Sequence, residues 1–330
     1  MIARRALLRA LAGSLLAAPL AAQAQQAEKL PRVGVLGPGT ASETVKVQRE
    51  PFERGLRELS WTPGVNITIE YRYGGGSPER LAELAAELVG LSVDVIVARG
   101  PGAVRAARQA SAIIPVVMAS TDDPVSDGFV KSLARPGGNT TGIANRSWEL
   151  DGKRLALLKE ALPRLTRVGV LANPRKSRYR ENVTTLLASA RSLGLRAQVF
   201  EVTRAEDIAG AFAAIDKARV GALLVLTDIQ VLEPRRAQIV ALVDQRRLPA
   251  MYPWRFYAEI GGLMCYATSL PDLHHRSATF VDRILKGMKP SDLPVEQPTK
   301  FDLVINMRTA KALGLTIPQP LLLLADEVIQ

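Results

Sequence analysis

The chain has 330 residues and a formal net charge of +11, from 43 basic and 32 acidic side chains. The basic residues are spread thinly and aromatic residues make up only 5% of the chain, a pattern that argues against a nucleic-acid-binding protein. The length is sufficient for two domains, each large enough to have a hydrophobic core of its own.

The N-terminal segment has the pattern of a secretory signal peptide. Arg4 and Arg5 provide a positive start, residues 11–22 are small and apolar, and Ala22-Gln23-Ala24 forms a cleavage signal. The apolar run is shorter than the roughly 20 residues that a membrane-spanning helix needs. We therefore predict that residues 1–24 are removed and that the mature protein reaches the periplasm, by the general or the twin-arginine route.

The next segment alternates strands and helices, as in a parallel α/β sheet. Four strands are predicted, the clearest from the continuous apolar run at 93–98, and amphipathic spacing predicts the helices between them. Ser77 is predicted to cap the second helix, because a serine oxygen accepts a hydrogen bond from a free N–H of the first turn. The strands are expected at 32–36, 66–71, 93–98 and 115–119, and the helices near 50–59, 78–88 and 103–112.

The second half of the chain repeats this plan. The sequence of Arg32–Leu36 returns without change as Arg167–Leu171. Thr203 and Glu206 predict a capping box at the start of the second helix of this half. The strands are expected at 167–171, 196–202, 221–227 and 249–252, and the helices near 180–193, from 203 onwards, and near 234–246.

A repeat of this length is too long for a solenoid unit and predicts two similar Rossmann-like lobes. Each lobe should have a parallel sheet, with a ligand cleft between the lobes. A helix near 271–286 and a strand near 301–306 have no counterpart in the repeat, so the chain should cross between the lobes several times in a hinge. We expect lobe 1 to comprise 30–145 plus about 268–290, and lobe 2 to comprise 146–267 plus about 291–330.

Polar or glycine-rich loops follow the predicted strands. Parallel sheets bind ligands outside the carboxyl ends of their strands, and the free N–H groups of the helices that begin there suit an anion such as a carboxylate. For any single loop, ordinary turn chemistry is the alternative. The candidate ligand-binding residues are Thr40, Arg99, Ser120, Thr121, Asn173, Asp228, Tyr252 and Trp254.

Four of these candidates have more than one interpretation. Asp228 is placed for a ligand ammonium, or it caps the following helix or pairs with a nearby arginine. Arg99 pairs with a ligand carboxylate, or it points to solvent. Tyr252 and Trp254 form a wall against an apolar part of the ligand, or they belong to the core.

The sequence offers little material for catalysis or metal binding. His274 and His275 are adjacent, so on a helix they point about 100° apart and cannot share a metal ion. Cys265, the only cysteine, lies in an apolar run and is interpreted as a small buried hydrophobic residue. We predict no catalytic residues, no metal and no cofactor.

Two longer stretches carry a family resemblance. Residues 123–142 contain Asp-Pro-Val, then Gly-Phe-Val-Lys-Ser-Leu-Ala-Arg-Pro-Gly-Gly-Asn and a final Thr-Gly, and residues 297–315 begin with Gln-Pro-Thr-Lys-Phe. They resemble the substrate-binding proteins of ABC importers in the tryptophan/aromatic amino-acid-binding-like family, over about residues 31–329. The resemblance implies the type I periplasmic-binding fold, two lobes, three hinge crossings and no catalysis.

We therefore predict an exported receptor that captures an amino acid, an aromatic acid or another small carboxylate by hinge closure. Its partners would be this ligand and an ABC permease of the inner membrane, and the receptor is expected to be a monomer. One alternative is a receptor that signals to a kinase. The other is an enzyme on the same scaffold, although the single cysteine argues against a two-cysteine racemase.

Overall fold

Two β-sheets organise the computed structural model, which describes residues 30–41 and 45–330. Residues 32–330 form one compact unit. The predicted signal peptide, residues 1–24, lies outside the described residues. Within the described ranges, no helix has the length and apolar character to cross a membrane.

Lobe 1 is built on a five-stranded parallel sheet with the order β2-β1-β3-β4-β5. Its central strands are buried on both faces, which explains their continuous apolar sequences. The strands are β1 (Arg32–Gly37), β2 (Thr68–Tyr73), β3 (Val95–Arg99), β4 (Val116–Thr121) and β5 (Thr140–Ala144). Three helices connect these strands: α1 (Glu50–Glu58), α2 (Pro78–Gly90) and α3 (Gly100–Ala110).

Lobe 2 is built on a seven-stranded sheet with the order β12-β11-β10-β9-β8-β6-β7. Its strands are β6 (Arg167–Ala172), β7 (Arg196–Glu201), β8 (Ala222–Val225), β9 (Ala250–Tyr252), β10 (Met264–Thr268), β11 (Phe301–Asn306) and β12 (Glu327–Ile329). Its helices are α4 (Asp151–Ala161), α5 (Tyr179–Ser192), α6 (Asp207–Ala218), α7 (Arg236–Gln245), α8 (Arg255–Glu259), α10 (Met307–Leu313) and α11 (Gln319–Leu324). The helix between α8 and α10 in the chain, α9 (Leu270–Leu285), packs on lobe 1.

The prediction of two similar α/β lobes is confirmed. The order β7-β6-β8-β9 in lobe 2 matches β2-β1-β3-β4 in lobe 1, and β6 and β1 enter different sheets. Lobe 2 departs from a purely parallel sheet at one edge, because β11 runs antiparallel to β10 and β12 runs parallel to β11. This edge comes from the C-terminal segment that has no counterpart in the repeat.

The chain passes between the lobes three times. It leaves β5 for lobe 2, returns after β10 to α9, which packs against α1 and β4 of lobe 1, and leaves again towards β11. The crossings are bonded to one another: the Thr268 hydroxyl donates to Asn145, and the Glu296 carbonyl accepts the N–H of Ala144 at 2.8 Å. The three connecting segments therefore lie next to one another between the lobes.

Helix starts were predicted with mixed success. The Ser77 hydroxyl accepts a hydrogen bond from the Arg80 N–H at 3.3 Å, so the predicted cap forms. The capping box at Thr203 does not form, because α6 begins only at Asp207. The Asp207 carboxylate accepts the N–H groups of Thr203 and Arg204 at 3.0 and 2.9 Å, which closes a turn before the helix.

Candidate functional site

A cleft of about 290 Å³ lies between the two lobes, where the carboxyl ends of the strands of both sheets meet. Every parallel strand that ends here is followed by a loop, so the fold places six loops from distant parts of the sequence around one space. Lobe 1 contributes residues 99–101, Arg105, Ser120, Asp122, Asp127 and Asn145. Lobe 2 contributes residues 175–177, residues 227–230 and Trp254.

Ion pairs connect the lobes across the cleft. Arg99 of lobe 1 pairs with Glu233 of lobe 2 at 2.9 Å, and their side chains are only 6% and 12% exposed. Asp122 of lobe 1 accepts from Lys176 of lobe 2 at 2.6 Å. A third pair, Asp123 with Arg178, has an N–O distance of 3.1 Å. The two lobes therefore touch through opposite charges on either side of the cleft.

Burial and pairing act against each other in these ion pairs. Burial raises the pKa of the Glu233 carboxyl above its ordinary value, and the Arg99 guanidinium opposes this rise. Burial alone would lower the pKa of Lys176, but the carboxylates of Asp122, Asp228 and Asp151 together outweigh burial, so that this pKa is raised. Lys176 is therefore held in its charged form, with its ammonium also donating to the Thr227 carbonyl at 2.6 Å.

A second cavity, of about 540 Å³, adjoins the cleft, and Arg99 and Ile229 border both spaces. Ile229 of lobe 2 rests against Gly100 of lobe 1, whose φ is +76°. A Cβ atom at position 100 would overlap Ile229 Cδ1, so glycine permits both this backbone conformation and the close approach. Thr40 and Phe256 line the second cavity. The contact divides the space between the lobes into two chambers.

Asp228 is engaged within its own lobe. Its Oδ1 accepts the N–H groups of Val231 and Leu232 at 2.6 and 2.9 Å, and its Oδ2 accepts from the Asn173 side chain at 3.0 Å. The residue is only 4% exposed. Three donors compensate the cost of burying this carboxylate. The geometry favours the capping interpretation over a free carboxylate that waits for a ligand ammonium.

Arg154 is fully buried and holds backbone segments next to the cleft in place. It pairs with Asp151 at 2.6 Å and donates to the carbonyl oxygens of Ser147 and Pro253 at 3.0 and 3.3 Å. Ser147 belongs to the first hinge crossing, and Pro253 precedes Trp254. One guanidinium therefore joins the segment that follows β5 to the loop that carries Trp254.

The structure divides the eight predicted site residues into three groups. Four border the cleft: Arg99, Ser120, Asp228 and Trp254. Thr40 borders only the second cavity. The remaining three border neither space: Thr121, Asn173 and Tyr252.

The interpretations of two of these residues can now be compared with their surroundings. Arg99 does not reach solvent, since it is 5% exposed and pairs with Glu233. Tyr252 is buried in the core and stacks on Tyr257 with ring centroids 4.9 Å apart. The pairing of Arg99 with Glu233 could not be predicted from the sequence, because the two residues lie 134 positions apart.

Sequence reasoning did not identify three basic residues that border the cleft, Arg105, Arg175 and Lys176. Arg175 and Lys176 directly follow the Asn173-Pro174 loop at the end of β6, so a wider window on that loop would have included them. Arg105 lies on the second turn of α3, where no loop rule applies. Among the described residues, no group of histidine, cysteine, aspartate and glutamate side chains could hold a metal ion.

The comparison with known families agrees with this architecture. The model of a family described as ABC transporter substrate binding protein matches residues 41–329. The chain belongs to this family. The description of the family is that of a protein that binds a substrate for a transporter. A cleft between two lobes is a structure that can bind such a substrate.

Individual relatives support the same conclusion. The tyrosine-binding protein of Clostridioides difficile is 24% identical over 267 residues, which cover 81% of this chain and 76% of the relative. A solved structure of an ABC domain from Streptococcus pneumonia in complex with L-Trp is 26% identical, with a TM-score of 0.82 over 91% of this chain and 99% of that one. A conserved domain protein from Vibrio cholerae is also 26% identical, with a TM-score of 0.83 over 91% of this chain and all of the other.

Proposed function

We propose that this protein is the exported receptor of an ABC importer, and that it captures a small organic molecule in the cleft and delivers it to an inner-membrane permease. Residues 1–24 would direct export to the periplasm and be removed there. The two lobes would move as rigid bodies about the three hinge crossings, and the ligand would favour the closed arrangement. The protein would bind its ligand without altering it.

One observation carries this proposal: a single cleft receives side chains from both lobes, and the same lobes contact each other at its rim. A ligand in such a cleft makes contacts with both lobes only when they are closed. Those additional contacts shift the population towards the closed form, which is the form that a partner can recognise. The ligand bound by the Streptococcus relative, L-Trp, supports a small organic molecule of comparable size.

The proposal is tested by thermal unfolding of the mature chain in the presence of amino acids, aromatic acids, other small carboxylates, sugars and amides. A ligand at one hundred times its Kd should raise the free energy of unfolding by about 2.7 kcal/mol. L-Trp and L-Tyr belong in the panel because relatives are named for them. The proposal fails if no solute in the panel changes the unfolding temperature.

A matched pair of variants locates the binding site. Ser177 is exposed and borders the cleft, whereas Ser192 is exposed at the end of α5 and borders neither space described above. Ser177→Trp should obstruct the cleft and abolish the stabilisation by ligand, whereas Ser192→Trp should preserve it. Equal loss in both variants, or in neither, would contradict binding between the lobes.

A further inference from the structure

We propose that lobe 2 has a second binding surface, on the side remote from the cleft, and that this surface binds the anionic phospholipid headgroups of a membrane. The surface, the basic edge, consists of the segments that lead into β6, β7, β8 and β9: residues 162–167, 191–196, 217–221 and 245–249. This inference goes beyond the proposed function and shares with it only the predicted export of the chain.

The fold gathers basic residues that are spread thinly along the sequence. Each of the four segments contains two basic residues and no acidic residue. Because β7, β6, β8 and β9 are neighbouring parallel strands, their amino ends form one row, about 4.8 Å from strand to strand, at the sheet edge opposite the cleft. The eight residues are Arg164, Arg167, Arg191, Arg196, Lys217, Arg219, Arg246 and Arg247.

Most of these charges have no partner in the protein. Arg246 pairs with Asp216 at 2.8 Å, and Arg247 donates to a backbone carbonyl of α10 at 2.7 Å. The other six are exposed, and their side chains form no ion pair and no hydrogen bond with any residue that the structure describes. Asp244 and Glu160 lie just outside the segments and reduce the positive charge without cancelling it. The basic edge therefore presents an excess of positive charge to the solvent.

Two of the arginines lie side by side. Arg167 and Arg196 are the first residues of β6 and β7 and are partners in the register of these strands, so their side chains leave the same face of the sheet. Like charges at this distance repel each other, and an anionic group between them would remove the repulsion. The helix dipole explains a basic residue at a helix end, but it does not explain two adjacent ones on strands.

The repeat supplies an internal comparison. The segments of lobe 1 that lead into β2, β3 and β4, residues 59–67, 91–94 and 111–115, contain one acidic and no basic residue. At the end of α6, Arg219 has a φ of +49°, and its counterpart at the end of α2 in lobe 1, Ser92, has a φ of +53°. The same backbone conformation therefore accepts an uncharged residue, so the fold does not require the basic edge.

The composition of the basic edge suits a bilayer surface better than a protein or a nucleic acid. The four segments contain no aromatic residue, and no exposed large apolar residue lies in them. Protein interfaces usually depend on aromatic or apolar anchors, and single-stranded nucleic acids stack on aromatic side chains. A layer of lipid phosphates needs only exposed basic side chains, each of which adds to the attraction. The predicted export would bring the protein to such a layer, the outer surface of the inner membrane.

Flotation of the mature chain with lipid vesicles, in the absence of ligand, tests this surface. Vesicles of phosphatidylglycerol and phosphatidylcholine in equal parts would be compared with vesicles of phosphatidylcholine alone. The measurement would be made at about 0.1 M and about 1 M NaCl, where the Debye length falls from about 10 Å to about 3 Å. We expect binding only to the anionic vesicles and only at the lower salt concentration, because no apolar side chain of the basic edge would enter the bilayer.

Two triple variants locate the binding on the molecule. Arg167→Gln, Arg196→Gln and Arg219→Gln together should weaken binding to the anionic vesicles by about a hundredfold, or about fivefold for each basic residue removed. The control removes the same charge from three exposed positions of lobe 1 and should change binding by less than about threefold, because distant charges are screened. The control substitutions are Arg54→Gln, Arg80→Gln and Arg135→Gln. Unfolding curves would show that both variants are folded.

Several results would overturn the inference. They are no binding to the anionic vesicles, equal binding to phosphatidylcholine alone, and equal weakening by the two triple variants. Tighter binding to a DNA duplex than to the anionic vesicles would assign the surface to nucleic acid instead, and displacement by inorganic phosphate at constant ionic strength would assign it to free phosphate. None of these results bears on the cleft, whose ligand response is measured separately by thermal unfolding, so failure here leaves the proposed function intact.

Discussion

His274 lies buried on α9 without a charged partner. Its Nδ1 lies 2.9 Å from the Leu270 carbonyl oxygen, and the residue is only 2% exposed. Burial lowers the pKa of His274 to about 4, whereas an unfolded histidine titrates near 6.5. The unfolded chain therefore binds more protons between these two values. This contribution to stability is complete above about pH 6.5 and is lost as the pH falls towards 4.

The effect can be measured as the free energy of unfolding between pH 7 and pH 4. We expect His274 to account for a loss of about 3 kcal/mol over this range. His274→Gln keeps a donor for the Leu270 carbonyl but does not titrate, so its stability should fall less steeply with pH. Thr279→Gln, a change at a half-buried residue of α9 that has no ionisable group, is the control and should retain the wild-type slope. Identical slopes in all three proteins would rule out His274 as the cause.

For single residues, the sequence predicts the place of a residue in the fold better than it predicts which side chain that residue contacts. Loops after the strands were predicted to lie together because the ends of parallel strands lie at one edge of a sheet, and Arg99, Ser120, Asp228 and Trp254 border the cleft. It could not predict that Arg99 meets Glu233, since contacts between distant segments leave no local pattern in the sequence.

At the scale of elements, the start of α3 controls how closely the lobes approach. Gly100→Ala would place a methyl group against Ile229 and would force alanine into a left-handed conformation, which costs about 1–2 kcal/mol. We expect this variant to remain folded but to bind its ligand at least about tenfold more weakly, because the lobes cannot close fully. Calorimetric titration beside unfolding curves measures both quantities.

A second substitution separates steric hindrance from backbone strain. Ile229→Ala in the Gly100→Ala background removes the opposing side chain and should restore part of the lost affinity. Gly102→Ala is the control in the same helix, because its Cβ would meet Leu81 Cδ1 at an ordinary 3.5 Å. If Ile229→Ala restores nothing, the contact does not limit closure.

Elements were predictable where their signal is local and strong. The central strands of both sheets follow from continuous apolar runs, and the Ser77 cap follows from serine chemistry at a helix start. The capping box at Thr203 was wrong because Asp207 accepts the Thr203 N–H that Glu206 would have accepted. The antiparallel direction of β11 could not be predicted from the alternation of strands and helices, because β11 lies outside the repeat.

At the scale of the whole molecule, the repeat predicts two lobes but does not determine how they are held together. Three ion pairs and the contact of Gly100 with Ile229 join the lobes in this structure. Breaking one partner of a buried pair such as Arg99 with Glu233 typically costs about 3–5 kcal/mol. The arrangement of the lobes in this structure therefore depends on a small number of contacts between them.

The central claim, that a ligand closes the two lobes, is tested most directly by measuring the distance between them. Cys265 is buried and burial raises its pKa to about 12, so spin labels would react at introduced cysteines instead. Val125→Cys on lobe 1 and Arg180→Cys on lobe 2 place two labels at exposed positions near the Asp123–Arg178 pair.

Pulsed dipolar spectroscopy would record this distance with and without a saturating concentration of the solute that binds most tightly. We expect a longer, broader distribution in the free protein and a shorter, narrower one with ligand. A control pair within lobe 2, Arg180→Cys with Glu206→Cys, should not change. If saturating ligand leaves the distance between the lobes unchanged, capture by closure is contradicted.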